Sequence, residues 1–257
     1  MLDNKDFILS QYDVIEGEFP TNSSDIVIVL DKNNKISDVV LSELGLYDPQ
    51  NPVEKISFEK IIGMTYMILD NDLVYQKDEI EDIFFERDIN NSVYNLGEQI
   101  TISAILRPKP ETMIGSISSA IAYHPDLLET IFEKQQQSQI VEWMMEKKEL
   151  EQFIDPFSGD FFQPGFNQYL QLQTPEDVFD SLLANLGGEE RISSINIYPV
   201  DFNAKEEIKN HLDLYNASVE KEERVYYMDI MEEIIGSMRL VLNSVSYILI
   251  AFTSISL

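Results

Sequence analysis

Carboxylates and two histidines are the side chains best suited to proton transfer or metal binding in this sequence, so their spacing comes first. Acidic residues gather at Asp70/Asp72, at Glu79/Glu81/Asp82 and at Asp155/Asp160. Oxygen donors at that density could hold calcium weakly. None of the three runs alternates its ligands around a glycine as an EF-hand loop does, and solvated charge is the simpler reading. His124 stands in a turn before Pro125, and His211 lies among the charged residues of a helix. Both read as surface or capping residues rather than bases or ligands. With 46 acidic residues some pair will always look catalytic, so spacing nominates none. GxSxG, P-loop, GxGxxG and HExxH motifs are absent. The lack of cysteine removes disulfides, thiolate ligands and thiol nucleophiles together. The expectation is a non-enzyme, without catalytic residues, a cofactor or a metal site.

The stretch that organises the rest is Leu240 to Leu257, LVLNSVSYILIAFTSISL, which carries no charge in a chain where 25% of residues do. Its polar members are Ser, Thr and Asn, which can bond back to helix carbonyls. As a helix it would extend about 27 Å, just short of the roughly 20 residues that cross a bilayer. It is either the start of a membrane span or a C-terminal helix packed in the protein's own core. Leu240, Val241, Tyr247, Ile248, Leu249, Ile250, Phe252 and Ile255 are the membrane-inserting candidates.

At 257 residues the chain holds one large domain or two small ones, and 44% hydrophobic content is ordinary for a folded protein. A net charge of −28 repels nucleic acid and anionic headgroups. It suits a solvated extracellular face, cationic peptide ligands or plain solubility. Met1 to Phe7, MLDNKDF, is acidic and lacks the apolar core of a signal peptide, so an exported form would need a signal upstream.

Several elements must position these features. Asp25 to Leu30 is a continuous apolar run, suited to a strand buried on both faces. A polar turn follows, then a short helix capped by Ser37 and stopped by Gly45. Ile61 to Lys77 reads as a hairpin about Asp70-Asn71-Asp72, and Asp78 to Asn95 as a long exposed excursion. Ile100 to Leu106 alternates as a one-sided strand ended by Pro108. Ile117 to Tyr123 is a short strand, after which His124-Pro125-Asp126 turns into a helix. Gln137 to Phe153 is helical, with Trp143 on its apolar side; Trp143 and Phe161-Phe162 read as core. Thr174-Pro175-Glu176-Asp177 starts a further helix, and Gly187-Gly188 ends it.

Ser193 to Asp229 reads as strand, helix, strand: Ser194 to Tyr198, a helix capped by Asp201 and stopping near Asn216, then Arg224 to Tyr227. Asp229 caps an amphipathic helix with Met231, Ile234, Ile235 and Met238 on one face. That helix runs into Leu240 with no breaker stronger than Gly236.

Ile195-Asn196-Ile197-Tyr198-Pro199, Asp201-Phe202, Ala204-Lys205, Ile208 and Tyr215-Asn216 resemble the last extracellular βαβ of ABC transporter permeases of the MacB/FtsX type. So does the continuation through Tyr227 and Asp229 to Ser246–Phe252 and Ile255–Leu257. Further likeness lies at Tyr12-Asp13-Val14 with Gly17 and Pro20, at Leu44-Gly45-Leu46, at Gly97 with Ile105–Pro108, and at Ile121-Ala122-Tyr123 with Asp126-Leu127. The resemblance implies an α+β fold, a MacB-like core domain with a βαβ membrane-proximal lobe and a more β-rich distal lobe. The corresponding division is 1–190 as an extracellular α/β region, 191–238 as the βαβ lobe with the amphipathic helix, and 239–257 as a partial transmembrane helix. It implies residues 1–238 outside the cell membrane, a cytoplasmic ATP-binding partner and a homodimer of the full permease. The function implied is to couple ATP-driven motion to export or extracellular handling of peptides, antibiotics or lipoproteins. Such permeases carry one membrane segment before this domain and three after it, so this chain reads as a fragment or a truncated reading frame. The other reading is a soluble surface ligand-binding protein with a buried apolar C-terminal helix.

Overall fold

Glu98 to Pro108 is the longest strand in the computed structural model, and the main sheet is assembled on its two edges. The structure describes residues 2–52, 55–166, 172–190 and 195–255, in two units, Met1–Ile195 and Asn196–Leu257. The first unit is mixed α/β. It opens with helix α1 (Lys5–Gln11), whose first turn is capped by Asn4, and strand β1 (Tyr12–Gly17). Strand β2 (Asp25–Val29) and helix α2 (Asp38–Glu43) follow. As expected, Ser37 accepts from the Val39 N–H, and Gly45 ends the turn with φ +68°.

Next come β3 (Thr65–Ile68), the single turn α3 (Asn71–Val74), β4 (Tyr75–Asp78), β5 (Ile83–Glu86), α4 (Asn91–Tyr94) and β6 (Glu98–Pro108). The expected hairpin over 61–77 does not form. β3 pairs antiparallel with the start of β6, whereas β4 pairs with β5. Between them Asp70 caps α3 by accepting from the Leu73 N–H, so the polar triplet starts a helical turn instead of reversing a ladder. The expected exposed excursion over 78–95 is corrected too, because β5 lies within it and Phe84 is buried.

β6 is the centre of the sheet. β2 runs parallel along one edge; β1 and β3 take successive lengths of the other, and β7 (Ile121–Tyr123) adds beyond β2. The sequence pattern predicts a one-sided strand, but Ile102, Ala104, Ile105 and Leu106 are all fully buried, on both faces. A bulge makes this possible. Ile26 pairs with Ile102 and Val27 with Ala104, which leaves Ser103 as an extra residue. Ile102 and Ile105 thereby reach the same face, packed with Ile26, Ile28, Leu30 and Leu127. Ala104 and Leu106 join Val27, Val29, Tyr12 and Ile8 on the other. Each large aliphatic side chain buried this way contributes about 1.5–3 kcal/mol.

A third core lies away from this sheet. Helix α5 (Pro125–Gln136) leads into α6 (Gln139–Glu149), the small ladder β8 (Gly165–Phe166) with β9 (Leu172–Gln173), and α7 (Pro175–Asn185). Phe84, Ile140, Trp143, Met144, Phe179 and Leu183 pack together there. The helix start at Thr174 is a full capping box: Thr174 and Asp177 satisfy each other's backbone N–H groups.

The second unit holds α8 (Phe202–Ser218), a 3-10 turn and α9 (Ile230–Ile255). The expected βαβ does not form. Residues 195–199 and 224–228 join no ladder, and Ser193 and Ser194 lie outside the described residues. Two parallel segments without a third strand are a poor ladder on their own. A side chain also takes up the partners of one of them. Asn216, expected to stop the helix, lies inside it and bonds both backbone groups of Val225 at 2.8 Å. No described residue of this unit is buried.

Candidate functional site

Helix α9 begins where Asp229 accepts from the Glu232 N–H, and continues unbroken through Gly236 and Arg239 to Ile255. The amphipathic start and the apolar stretch are therefore one helix, as the sequence leads one to expect. Leu240, Val241, Tyr247 and Ile248 are 70, 62, 71 and 54% exposed, and Leu242 and Val245 are exposed with them. Leu249, Ile250, Phe252 and Ile255 lie in the same helix, but their side chains fall outside the described residues. Ser244 donates to the Leu240 carbonyl and Ser246 to that of Leu242, so these hydroxyls are satisfied without water. Among the described residues no helix is long and apolar enough to cross a membrane.

Charges are paired at the base of α9. Lys205 lies 2.7 Å from Asp229, both side chains mostly covered, and also sits over the Phe202 ring at 5.1 Å. The hydrogen bond between them holds the Asp229 carboxyl below its ordinary range and the Lys205 amine above its own. Alongside, the Tyr227 hydroxyl donates to Asp213 at 2.6 Å and Lys209 bonds the same carboxylate at 3.3 Å. Tyr227 thereby lowers the Asp213 pKa while its own is raised. Lys209, Tyr227, Met228, Asp229, Glu232 and Glu233 line an open depression of about 670 Å³. Three carboxylates thus stand at the first turn of α9, where the helix dipole favours them. The 209/213 pairing was legible as an i, i+4 spacing; the tie to Tyr227 was not.

The acidic clusters of the first unit are not merely solvated charge. Asp82, in a left-handed conformation, accepts from Trp143 Nε1 at 2.9 Å, Lys147 at 3.1 Å and Lys77 at 2.9 Å. Partial burial opposes its ionisation, but the bonds from Lys77, Lys147 and Trp143 prevail and hold its pKa at about 2. Lys147 also lies over the Trp143 ring. Asp72 accepts from the Gln139 N–H and so caps α6, while Asp155 accepts from the Phe157 N–H and shapes a turn. His124 caps α5 through Nδ1, as anticipated, and His211 is exposed on α8. Trp143 is core, and Phe162 packs against the same cluster, edge-on to Phe179; Phe161 instead is 61% exposed. Among the described residues no group of His, Cys, Asp and Glu could hold a metal ion.

Neither a family model, nor a curated protein, nor a solved structure matches the chain.

Proposed function

We propose that the chain is the water-exposed, non-catalytic domain of a MacB/FtsX-type permease. It would couple ATP-driven motion to export or extracellular handling of peptides, antibiotics or lipoproteins. The observation that carries this reading is α9, a single helix that leads from a capped acidic turn into an uncharged stretch whose described apolar side chains are uncovered. Apolar area left in water at that density is costly, and lipid removes the cost. The likeness of 246–257 to the opening of the permeases' second membrane helix supports the same reading. The strand, helix, strand part of that likeness lends it nothing, because 195–199 and 224–228 form no strands. On this reading residues 1–238 stand outside the cell and α9 enters the cell membrane from Leu240. The implied partners are an ATP-binding subunit and a second copy of the permease.

Membrane fractionation tests the proposal. The full chain is expected to sediment with the membranes. A variant lacking 240–257 is expected in the supernatant, with cooperative unfolding of the first unit unchanged. A full chain that remains in the supernatant, or a deletion that abolishes cooperative unfolding, overturns the proposal.

A further inference from the structure

The charges flanking the uncovered face of α9 specify the lipid it accepts, an inference that rests on the membrane reading above. We infer that α9 docks on a zwitterionic lipid surface and that an anionic surface repels it. From Leu240 to Ile248 the helix carries no charge, and Leu240, Val241, Leu242, Val245, Tyr247 and Ile248 are exposed. The segment before it, 220–239, holds six acids (Glu220, Glu222, Glu223, Asp229, Glu232, Glu233) against three bases, Lys221, Arg224 and Arg239. A polybasic collar, the device that draws a helix to an anionic leaflet, is therefore missing, and its opposite is present. Of the acids on α9 and its cap, Asp229 is neutralised by Lys205 at 2.7 Å. Glu232 and Glu233 stand about 10–12 Å along the axis from Leu240, close to the screening length of about 10 Å at 0.1 M salt. Arg239 is the one base adjacent to the apolar stretch. At moderate salt it offsets part of this repulsion. At low salt Glu232 and Glu233 come fully into range of the surface. The salt dependence on anionic lipid is therefore reversed from that of a basic peripheral protein: salt strengthens binding.

Flotation of the full chain with vesicles of phosphatidylcholine, alone or mixed with phosphatidylglycerol, tests this at low and high salt. The expected result is binding to phosphatidylcholine at both salts, with weaker binding to the mixed vesicles that recovers as salt rises. The double variant Glu232→Gln, Glu233→Gln is expected to bind mixed vesicles about thirty-fold better at low salt, following the roughly 1 kcal/mol per charge near such a surface. Tighter binding to mixed vesicles at low salt overturns the inference, as does equal binding to both, and either leaves the membrane reading standing. Failure to bind any vesicle at either salt overturns both.

Discussion

The side-chain amide of Asn216 holds Val225 as a neighbouring strand would: its Oδ1 accepts from the Val225 N–H and its Nδ2 donates to the Val225 carbonyl, both at 2.8 Å. One residue of α8 thereby substitutes for a ladder, and Arg224 beside Val225 keeps an extended backbone (φ −70°, ψ 137°). Replacing Asn216 by Leu is expected to speed amide exchange at Val225 about five-fold, the loss of a hydrogen bond worth ~1 kcal/mol. Exchange in α9 should not change. Unaltered exchange at Val225 would show that the amide holds nothing.

Asp82 ties the β4–β5 ladder to α6 through Lys77, Trp143 and Lys147. Its folded pKa of about 2 lies below the ordinary 3.8, so its stabilisation is present above pH 3.8 and is lost as pH falls towards 2. The side chain is 48% exposed and screened by water, which limits the contribution to about 1 kcal/mol. Asp82→Asn should lower the melting temperature at neutral pH and flatten its fall between pH 4 and 2. Fluorescence of Trp143, the only tryptophan, reads both effects. Parallel acid profiles for the two proteins would refute this role.

Asn71 is one of the few buried polar side chains, donating to Ser138 Oγ at 3.0 Å and to the Leu186 carbonyl at 2.8 Å. Asn71→Ala is expected to cost about 2 kcal/mol by leaving that carbonyl without its donor. The isosteric Asn71→Asp should cost more, because it turns a carboxylate towards the same oxygen. Urea denaturation ranks them; an aspartate variant as stable as wild type would contradict the expectation.

Gly17 has φ +79°, and a Cβ there would lie 2.1 Å from the Ser103 carbonyl oxygen, at the bulge that lets β6 face both cores. Gly17→Ala is therefore expected to destabilise the first unit by about 2–4 kcal/mol, strain and clash acting together. Gly45, with nothing near its Cβ position, should cost only about 1 kcal/mol when changed to Ala. Equal losses at the two sites would count against the bulge as the cause.

Local signals were legible and distant ones were not. Asp25–Val29, the Ser37 and Thr174 caps and the Asp229 start of α9 all depend on residues within a few positions of each other. The supposed hairpin over 61–77 failed because both halves are good strands whose partners lie elsewhere, β6 for one and β5 for the other. Two-sided burial of β6 turns on the single extra residue Ser103, which alternation in the sequence hides. Asp82 looked like solvated charge because Trp143, which gives it a hydrogen bond, is 61 residues away. Residues 194–198 and 224–227 have strand propensity, and propensity does not supply a partner.

An α-helix of 26 residues such as α9 measures about 39 Å from end to end. Its backbone is continuous from Ile230 to Ile255, Gly236 included. A tilt of about ten degrees at the Lys205–Asp229 pair would carry the far tip sideways by about 7 Å. The geometry of that one ion pair would thus be enlarged several-fold at the apolar end of the helix.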